Sequence, residues 1–346
     1  MDGLMKTLML EATDSAQIRE IPIPTYGKGE ILIRTKAGTV CTSDLLDMKH
    51  NLFNLSLPVV MGHEGAGVVV AVGEDVADIK VGDEVAVHPV MPCLKCPTCL
   101  RGLKHLCDDM EHLAFNRPGV FAEYFVTRPD CVRVKPVGMS FPLASLMEPV
   151  CVCLEAIERA AVRPGGRVLI IGDGPFGVMI SKLCKHKKPK QIILTGRHDF
   201  RLQQAADGTG AIPVGTINEK KTPDMYKAIM DITEGEGVDS VVLCVSNPAA
   251  MDLAIEILRP RGTVAVFAAL SGKTPVDLFR VHMKELTIAG SNNDEDYMDL
   301  AIQLLSDPEL NLQSIITHEI PFEQWQEAFY QAEQGKSTCL KASMLM

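Results

Sequence analysis

The rhythm of hydrophobic and polar positions changes near residue 150. Before that point, short apolar or alternating runs recur at Glu30–Arg34, Gly67–Val72 and Asp83–Val87, punctuated by Gly, Pro and Asp. Side chains alternate between faces along a strand, so runs of this length bounded by turn formers predict a β-rich part. Beyond it come six strand-like runs separated by helical stretches: Val168–Ile171, Gln191–Leu194, Ala211–Val214, Ser240–Ser246, Thr263–Ala268 and Glu285–Ala289. That alternation predicts an α/β architecture with a doubly wound parallel sheet. From Asp294 onward there is a helix over Tyr297–Leu305, a Pro-punctuated segment and a further helix over Phe322–Gln334. No seventh strand–helix repeat fits there. The expected organisation is a β-rich domain over 1–150, a dinucleotide-type domain over 151–290, and a segment over 291–346 that returns to the first domain.

The second part carries a nucleotide signature in its proper context. The apolar run Arg167–Ile171 leads into Gly172-Asp173-Gly174-Pro175-Phe176-Gly177, and helix formers follow. In G-x-G-x-x-G the first glycine permits the tight turn and the second lets the backbone approach a pyrophosphate. The third lets helix and strand pack closely, and the helix start offers N–H groups to phosphate. Lys185, His186, Lys187 and Lys188 close that helix and suit its carboxyl-terminal dipole. At the end of the next strand, where NAD-binding chains usually carry an acid for the ribose hydroxyls, this chain has Gly196, then Arg197, with Arg201 one turn on. A small residue and two guanidiniums favour a 2′-phosphate, so NADP(H) is expected over NAD(H), with Asp199 as a moderating charge.

Composition narrows the function. The 346 residues are 47% hydrophobic with a formal net charge of −10, and no basic excess exists to neutralise phosphate backbones or anionic lipids. Nucleic-acid and membrane partners are therefore not expected. No apolar stretch reaches the ~20 residues of a membrane helix, and no signal peptide is read. Eleven cysteines in such a chain predict a reducing, cytoplasmic setting, where thiols serve as metal ligands or buried small hydrophobes. Four of them, Cys93, Cys96, Cys99 and Cys107, follow the spacing C-x2-C-x2-C-x7-C. Four thiolates on short loops make a closed tetrahedral cage for a structural Zn²⁺; the alternative, a pair of disulfides, suits an oxidising compartment.

A second, mixed set of ligand types comes from three separated segments: Cys41 in Cys41-Thr-Ser-Asp44, His63 in Gly62-His-Glu-Gly65, and Glu148 in Met147-Glu-Pro149. Three protein ligands with an open fourth position are the pattern of a catalytic zinc, which binds a substrate oxygen and lowers its pKa.

Together these motifs resemble the zinc-dependent medium-chain alcohol dehydrogenases, and within them the polyol (sorbitol-like) branch. The carrying motifs are Cys41-Thr-Ser-Asp44, Gly62-His-Glu-x-x-Gly67 continuing to Gly73 and Val76, Gly82-Asp-Glu-Val85, the four-cysteine lobe, Glu148-Pro149, and Gly172-x-Gly-x-x-Gly177. The resemblance implies a GroES-like catalytic domain, with the cysteine lobe at about 90–110, joined to a Rossmann domain. It implies that Cys41, His63 and Glu148 bind catalytic zinc, that Glu64 ligates the metal or stands beside it, that Ser43 relays a proton, and that Asp44 orients the ligand histidine. Cys151 and Cys153 lie close to Glu148, and alcohol dehydrogenases of another branch use Cys as third ligand; the Glu-Pro pattern favours Glu148. Two zinc ions per chain, a secondary alcohol of a polyol, cyclitol or small diol as substrate, and a homodimer or homotetramer through the outer strand Glu285–Ala289 complete the expectation. Asp47, Lys49, His50 and Asn51, and Glu111, His112, Asn116 and Arg117, are the polar residues available to a hydroxylated substrate. A threonine dehydrogenase-like activity shares both zinc motifs, and a non-catalytic zinc protein on the same fold is the alternative of another class.

Overall fold

The computed structural model describes residues 3–208, 211–269, 273–294 and 296–346. The chain divides into two compact units. Residues 1–149, 295–306 and 316–346 form the first, and residues 150–294 and 307–315 form the second. The stretch after the last Rossmann strand is thus split: 307–315 belongs to the second unit, which interrupts the continuous return expected over 291–346.

The first unit is built on a mixed sheet. Among the described residues its strands run in the order Val132–Val134, Glu84–Val87, Gly65–Val72, Ile31–Thr39, Lys341–Leu345 and Ile316–Pro321, with Tyr124–Thr127 paired to Ile31–Thr39 off that path. A smaller sheet joins Ser15–Pro22, Leu4–Ala12 and Val59–Val60. Ile31, Leu32 and Ile33 are all buried, so the first part of Ile31–Thr39 is covered on both faces and reads as a continuous apolar run, whereas Arg34 is exposed. Leu8, Ile31, Ile33, Val69, Phe121, Phe125 and Met344 are fully buried in its core. The C-terminal strand pairs antiparallel with Ile31–Thr39, setting Ser343 opposite Thr39. This register brings the residues around 341 beside those around 40. The expected helix over Phe322–Gln334 resolves into a 3₁₀ turn, Phe322–Gln324, and an α-helix, Trp325–Gln334.

The second unit holds a parallel sheet of strands β1 (Arg167–Ile171), β2 (Gln191–Gly196), β3 (Val214–Asn218), β4 (Val238–Leu243), β5 (Leu258–Val266) and β6 (Thr287–Gly290), in the order β3-β2-β1-β4-β5-β6. The order reverses beside β1, and the crevice at such a switch point is where doubly wound sheets bind nucleotides. β1 is buried at every position. Leu169, Ile171, Ile193 and Val241 from the strands pack with Ala254 and Ile257 of the helix Pro248–Ile257. Several strand limits differ from the sequence pattern, β5 most of all, which runs over Leu258–Val266 rather than Thr263–Ala268, and two of them have a local cause. β3 starts at Val214, not Ala211, because Pro213 has no N–H to give a ladder. β4 ends at Leu243, not Ser246, because the chain must turn to let Asn247 cap the next helix, its Oδ1 accepting from Ala249 N at 3.0 Å.

Candidate active site and metal centres

Helix α1 (Thr42–His50) begins directly after Cys41, and Asp44 in its first turn accepts the Cys41 backbone N–H at 2.8 Å. This cap fixes the thiol at the helix entrance. His63 and Glu64 come from the turn before the strand Gly65–Val72. Gly62, with φ +87°, could carry no side chain there, since a Cβ would lie 2.4 Å from the Phe121 ring. The Cys41 sulfur, a His63 nitrogen and a Glu64 oxygen all lie within 4.8 Å of one another, and all three residues are buried. Ser43 Oγ is 3.4 Å from His63 Nε2. Asp44 Oδ1 is 3.4 Å from His63 Nδ1, close enough to act by charge although the buried Nδ1 has no aligned hydrogen bond.

The electrostatics are those of a donor set crowded for a cation. Burial presses His63 toward its neutral form, yet the Asp44 carboxylate and Cys41 thiol outweigh it and hold the pKa well above the usual histidine value. Glu148, in the first turn of the helix Met147–Arg159, lies outside the 4.8 Å group but belongs to its field. Burial lifts it to about 7; Glu64 adds to the rise, while His63, His88 and Lys341 oppose it. Anionic and neutral donors of three chemical types, buried together, suit a divalent zinc that relieves their mutual repulsion.

Lys341 was not foreseen. It is fully buried and bonds Glu64 Oε1, while Thr39 Oγ1 donates to Glu64 Oε2. Its only advance signal is a lone charge in the apolar run Leu340–Leu345. His112 lies across from His63, ring centroids 6.1 Å apart, and stacks on Phe115 at 4.1 Å. Its Nδ1 meets Leu113 O at 2.6 Å, which makes Nδ1 the protonated nitrogen and Nε2 an acceptor. Burial and the neighbouring His63 charge push its pKa down to about 3.

In the cysteine lobe, all four sulfurs of Cys93, Cys96, Cys99 and Cys107 lie within 4.8 Å of one another, and none forms a disulfide. Backbone N–H groups aim at the sulfurs: Cys96 N to Cys93 Sγ at 3.3 Å, Cys99 N to Cys96 Sγ at 3.4 Å, and Cys93 N and Asp109 N to Cys107 Sγ at 3.3 Å. Such donors stabilise thiolates. The Lys95 N–H leads in lowering Cys93 to about 7, whereas burial and crowding by the other thiols push Cys99 up to about 12. A metal that takes the place of the protons removes that conflict.

In the second unit, helix α2 (Pro175–Leu183) starts at the glycine-rich loop with Gly174 as its N-cap and Pro175 at the first turn. Gly177 packs onto the strand end so closely that a Cβ would lie 1.8 Å from Gly172 O, whereas a Cβ on Gly174 would meet nothing within 4 Å. The open side of Gly174 at a helix start is the cradle a pyrophosphate needs. Phe176 packs on Phe267, centroids 5.2 Å apart. At the end of β2, Arg197 is exposed, but Arg201 is buried in the helix Asp199–Ala206, so the expected second guanidinium is not presented to solvent. Asp199 is engaged by Lys221 and Asn218.

Comparison with known proteins agrees with this geometry. The model of the alcohol dehydrogenase GroES-like domain matches residues 27–136, and that of the zinc-binding dehydrogenase domain matches residues 175–307. A sorbitol dehydrogenase of Bacillus subtilis (strain 168) is 32% identical over 342 residues, covering 97% of this chain and 96% of its own. The chain belongs to the zinc-dependent medium-chain alcohol dehydrogenase superfamily, in its polyol branch. An L-threonine 3-dehydrogenase of Pyrococcus abyssi is also 32% identical, covering 97% of both chains. Among solved structures, an alcohol dehydrogenase of Escherichia coli CFT073 in complex with NADH superposes with a TM-score of 0.91 at 26% identity, covering 99% of each chain. A zinc-binding dehydrogenase of Sinorhizobium meliloti 1021 bound to NADP shares the fold, with a TM-score of 0.92 at 23% identity and coverage of 99% and 100%. The chain is therefore a dehydrogenase of the zinc-binding type. No helix among its described residues is long and apolar enough to cross a membrane.

Most of the polar residues set aside for a hydroxylated substrate serve this dehydrogenase structurally. Asp47 accepts Phe53 N at 2.8 Å, Lys49 pairs with Glu333, and Asn51 caps Leu55 N at 2.6 Å. Asn116 accepts His112 N at 2.7 Å, and Arg117 bridges Glu30 and Glu111 at 2.7 and 2.9 Å. His112 alone of those named faces the histidine of the buried cluster.

Proposed function

We propose that this dehydrogenase interconverts a secondary alcohol of a polyol, cyclitol or small diol with its ketone, using NADP(H) in preference to NAD(H). The observation that carries the reading is the buried convergence of Cys41, His63 and Glu64 with Glu148 in the same electrostatic field. Cys41, His63 and Glu148 would hold a catalytic zinc, and Cys93, Cys96, Cys99 and Cys107 would hold a second, structural one. When bound, zinc supplies Lewis acidity toward the substrate oxygen and the nicotinamide supplies the hydride acceptor. The residues of the chain do the rest. Asp44 holds the His63 ring in orientation by charge. Ser43, half-buried and 3.4 Å from His63 Nε2, receives the hydroxyl proton at Oγ and passes it outward. Lys341 and Thr39 each hold one Glu64 oxygen and fix the carboxylate in place. His112 offers a neutral acceptor to a further hydroxyl.

At the coenzyme, Gly174 and the start of α2 receive the pyrophosphate, and the exposed Arg197 supports the preference for a 2′-phosphate. Exposed Leu278, Phe279 and Met283 in the helix that precedes the edge strand β6 in sequence, with Ile288 on that strand, support pairing of copies into a homodimer or homotetramer. Oxidation at the 3-hydroxyl of L-threonine is the second reading, favoured by the relatives of that name at equal identity.

A panel of polyols, cyclitols, diols and L-threonine with NADP⁺ and NAD⁺ decides the substrate, following absorbance of the reduced nicotinamide. Turnover confined to L-threonine would replace the polyol reading. Full activity in Cys41→Ser or Glu148→Ala would remove the catalytic assignment altogether.

A further inference from the structure

Asp173, the second residue of the glycine-rich loop, does not point to solvent. Its Oδ2 accepts the backbone N–H of Arg197 and of His198, both at 2.7 Å, and its oxygens lie 3.1 and 3.3 Å from His198 Nδ1. The residue is only 7% exposed. Gly196 makes this possible: a Cβ there would lie 2.3 Å from Asp173 Cβ and 2.6 Å from its Oδ2. The carboxylate of Asp173 thus fills the place that a side chain at the end of β2 would take. That is the position from which a Rossmann chain reads the 2′ substituent of the adenosine ribose. Two consecutive backbone N–H groups and an imidazole converging on one oxygen form an anion-binding nest, and here the nest is occupied from within.

We propose that Asp173 is a coenzyme-specificity residue, an internal anion that holds the donors at the end of β2 against a 2′-phosphate. The inference rests on the reading of this loop as a nicotinamide-dinucleotide site. Gly196 is then small to admit Asp173 rather than to leave an empty space for phosphate. Arg197 attracts the 2′-phosphate and Asp173 competes with it, so the preference for NADP(H) is weaker than the strand-end sequence alone implies. Both residues act on the same group by charge, at distances where a buried carboxylate is poorly screened.

The test is equilibrium binding of 2′,5′-ADP and of 5′-AMP to the full chain by calorimetry, without substrate or turnover. Asp173→Asn keeps an acceptor for the two N–H groups and removes the charge; Asp173→Ser is the second variant, in case the amide disturbs folding. At least one folded variant should bind 2′,5′-ADP about 5- to 10-fold more tightly than wild type, with 5′-AMP changed less than about 2-fold. Unchanged or weaker binding of 2′,5′-ADP, with 5′-AMP still bound, overturns the role of Asp173 alone. That result would make the carboxylate a support for the Arg197–His198 backbone. Failure of wild type to bind either nucleotide overturns the dinucleotide reading and this inference with it.

Discussion

Lys341 and Glu64 form an ion pair that is shut off from solvent, with side-chain exposures of 1% and 0%. They are 277 positions apart in sequence, and the pair ties the C-terminal strand to the turn that carries His63. Burial alone would strip Lys341 of its charge, but Glu64, Cys41 and Glu148 reverse that and raise its pKa. Both Glu64 oxygens already accept, from Lys341 and from Thr39. Lys341→Met should therefore destabilise the protein by about 3–5 kcal/mol in urea unfolding, because it leaves a carboxylate buried without its partner. Adding Glu64→Gln should restore most of that loss. A single variant as stable as wild type would show that the pair contributes nothing to folding.

The two sets of sulfur-containing ligands should separate by metal content. Purified protein should carry about two zinc ions per chain. Cys93→Ser should lose about one of them and lower the melting temperature, leaving binding of 5′-AMP unchanged. Cys41→Ser should lose about one as well, but with turnover abolished and the melting temperature little altered, since structural sites contribute folding energy directly and open sites contribute less. Elemental analysis with thermal unfolding checks both, and equal thermal loss from the two variants would contradict the division of roles.

His112→Phe keeps a ring to pack on Phe115 and removes the Nε2 acceptor. For a substrate with several hydroxyls, kcat/KM should fall about 10-fold, as expected for one lost hydrogen bond in a closed site. For a simple secondary alcohol it should change less than about 2-fold. Steady-state kinetics on one substrate of each kind makes the comparison. An equal loss on both would mean that His112 acts through packing.

The local chemistry of this dehydrogenase is written in short windows, and that part was legible. The G-x-G-x-x-G loop, the four-cysteine spacing and the Cys41-Thr-Ser-Asp44 motif each depend on neighbours within about fifteen residues. The start of β3 at Val214 could also have been read, because Pro213 cannot join a ladder. Lys341 could not, since its meaning depends on antiparallel pairing with a strand some 300 residues earlier. Asp173 was hidden for a related reason: as a variable position of the loop it carries no signal until the parallel register of β1 and β2 brings it to Arg197. Arg201 shares the buried positions of the helix Asp199–Ala206 with Leu202 and Ala205, and a charged residue gives no advance signal of such burial.

Lys182 gives the fold a measurable dependence on pH. It lies in α2 with no exposed surface, and its Nζ donates to Asp207 O at 2.9 Å and reaches Asn311 O at 3.5 Å. Burial lowers its pKa from 10.5 to about 8; Asp207 opposes the fall and Lys185 adds to it. Below pH 8 both folded and unfolded chains hold the proton, so this group adds no pH dependence there. Between pH 8 and 10.5 the unfolded chain binds more protons than the folded one, and stability should rise with pH through that window. The gain should be on the order of 1–2 kcal/mol. The stability difference between wild type and Lys182→Met, from urea unfolding at pH 7 to 10.5, isolates this group from the other lysines. It should be flat up to about pH 8 and then move in favour of wild type. A difference that stays constant across the whole range would mean that Lys182 keeps its proton in the folded chain, held by the two carbonyls strongly enough to offset its burial.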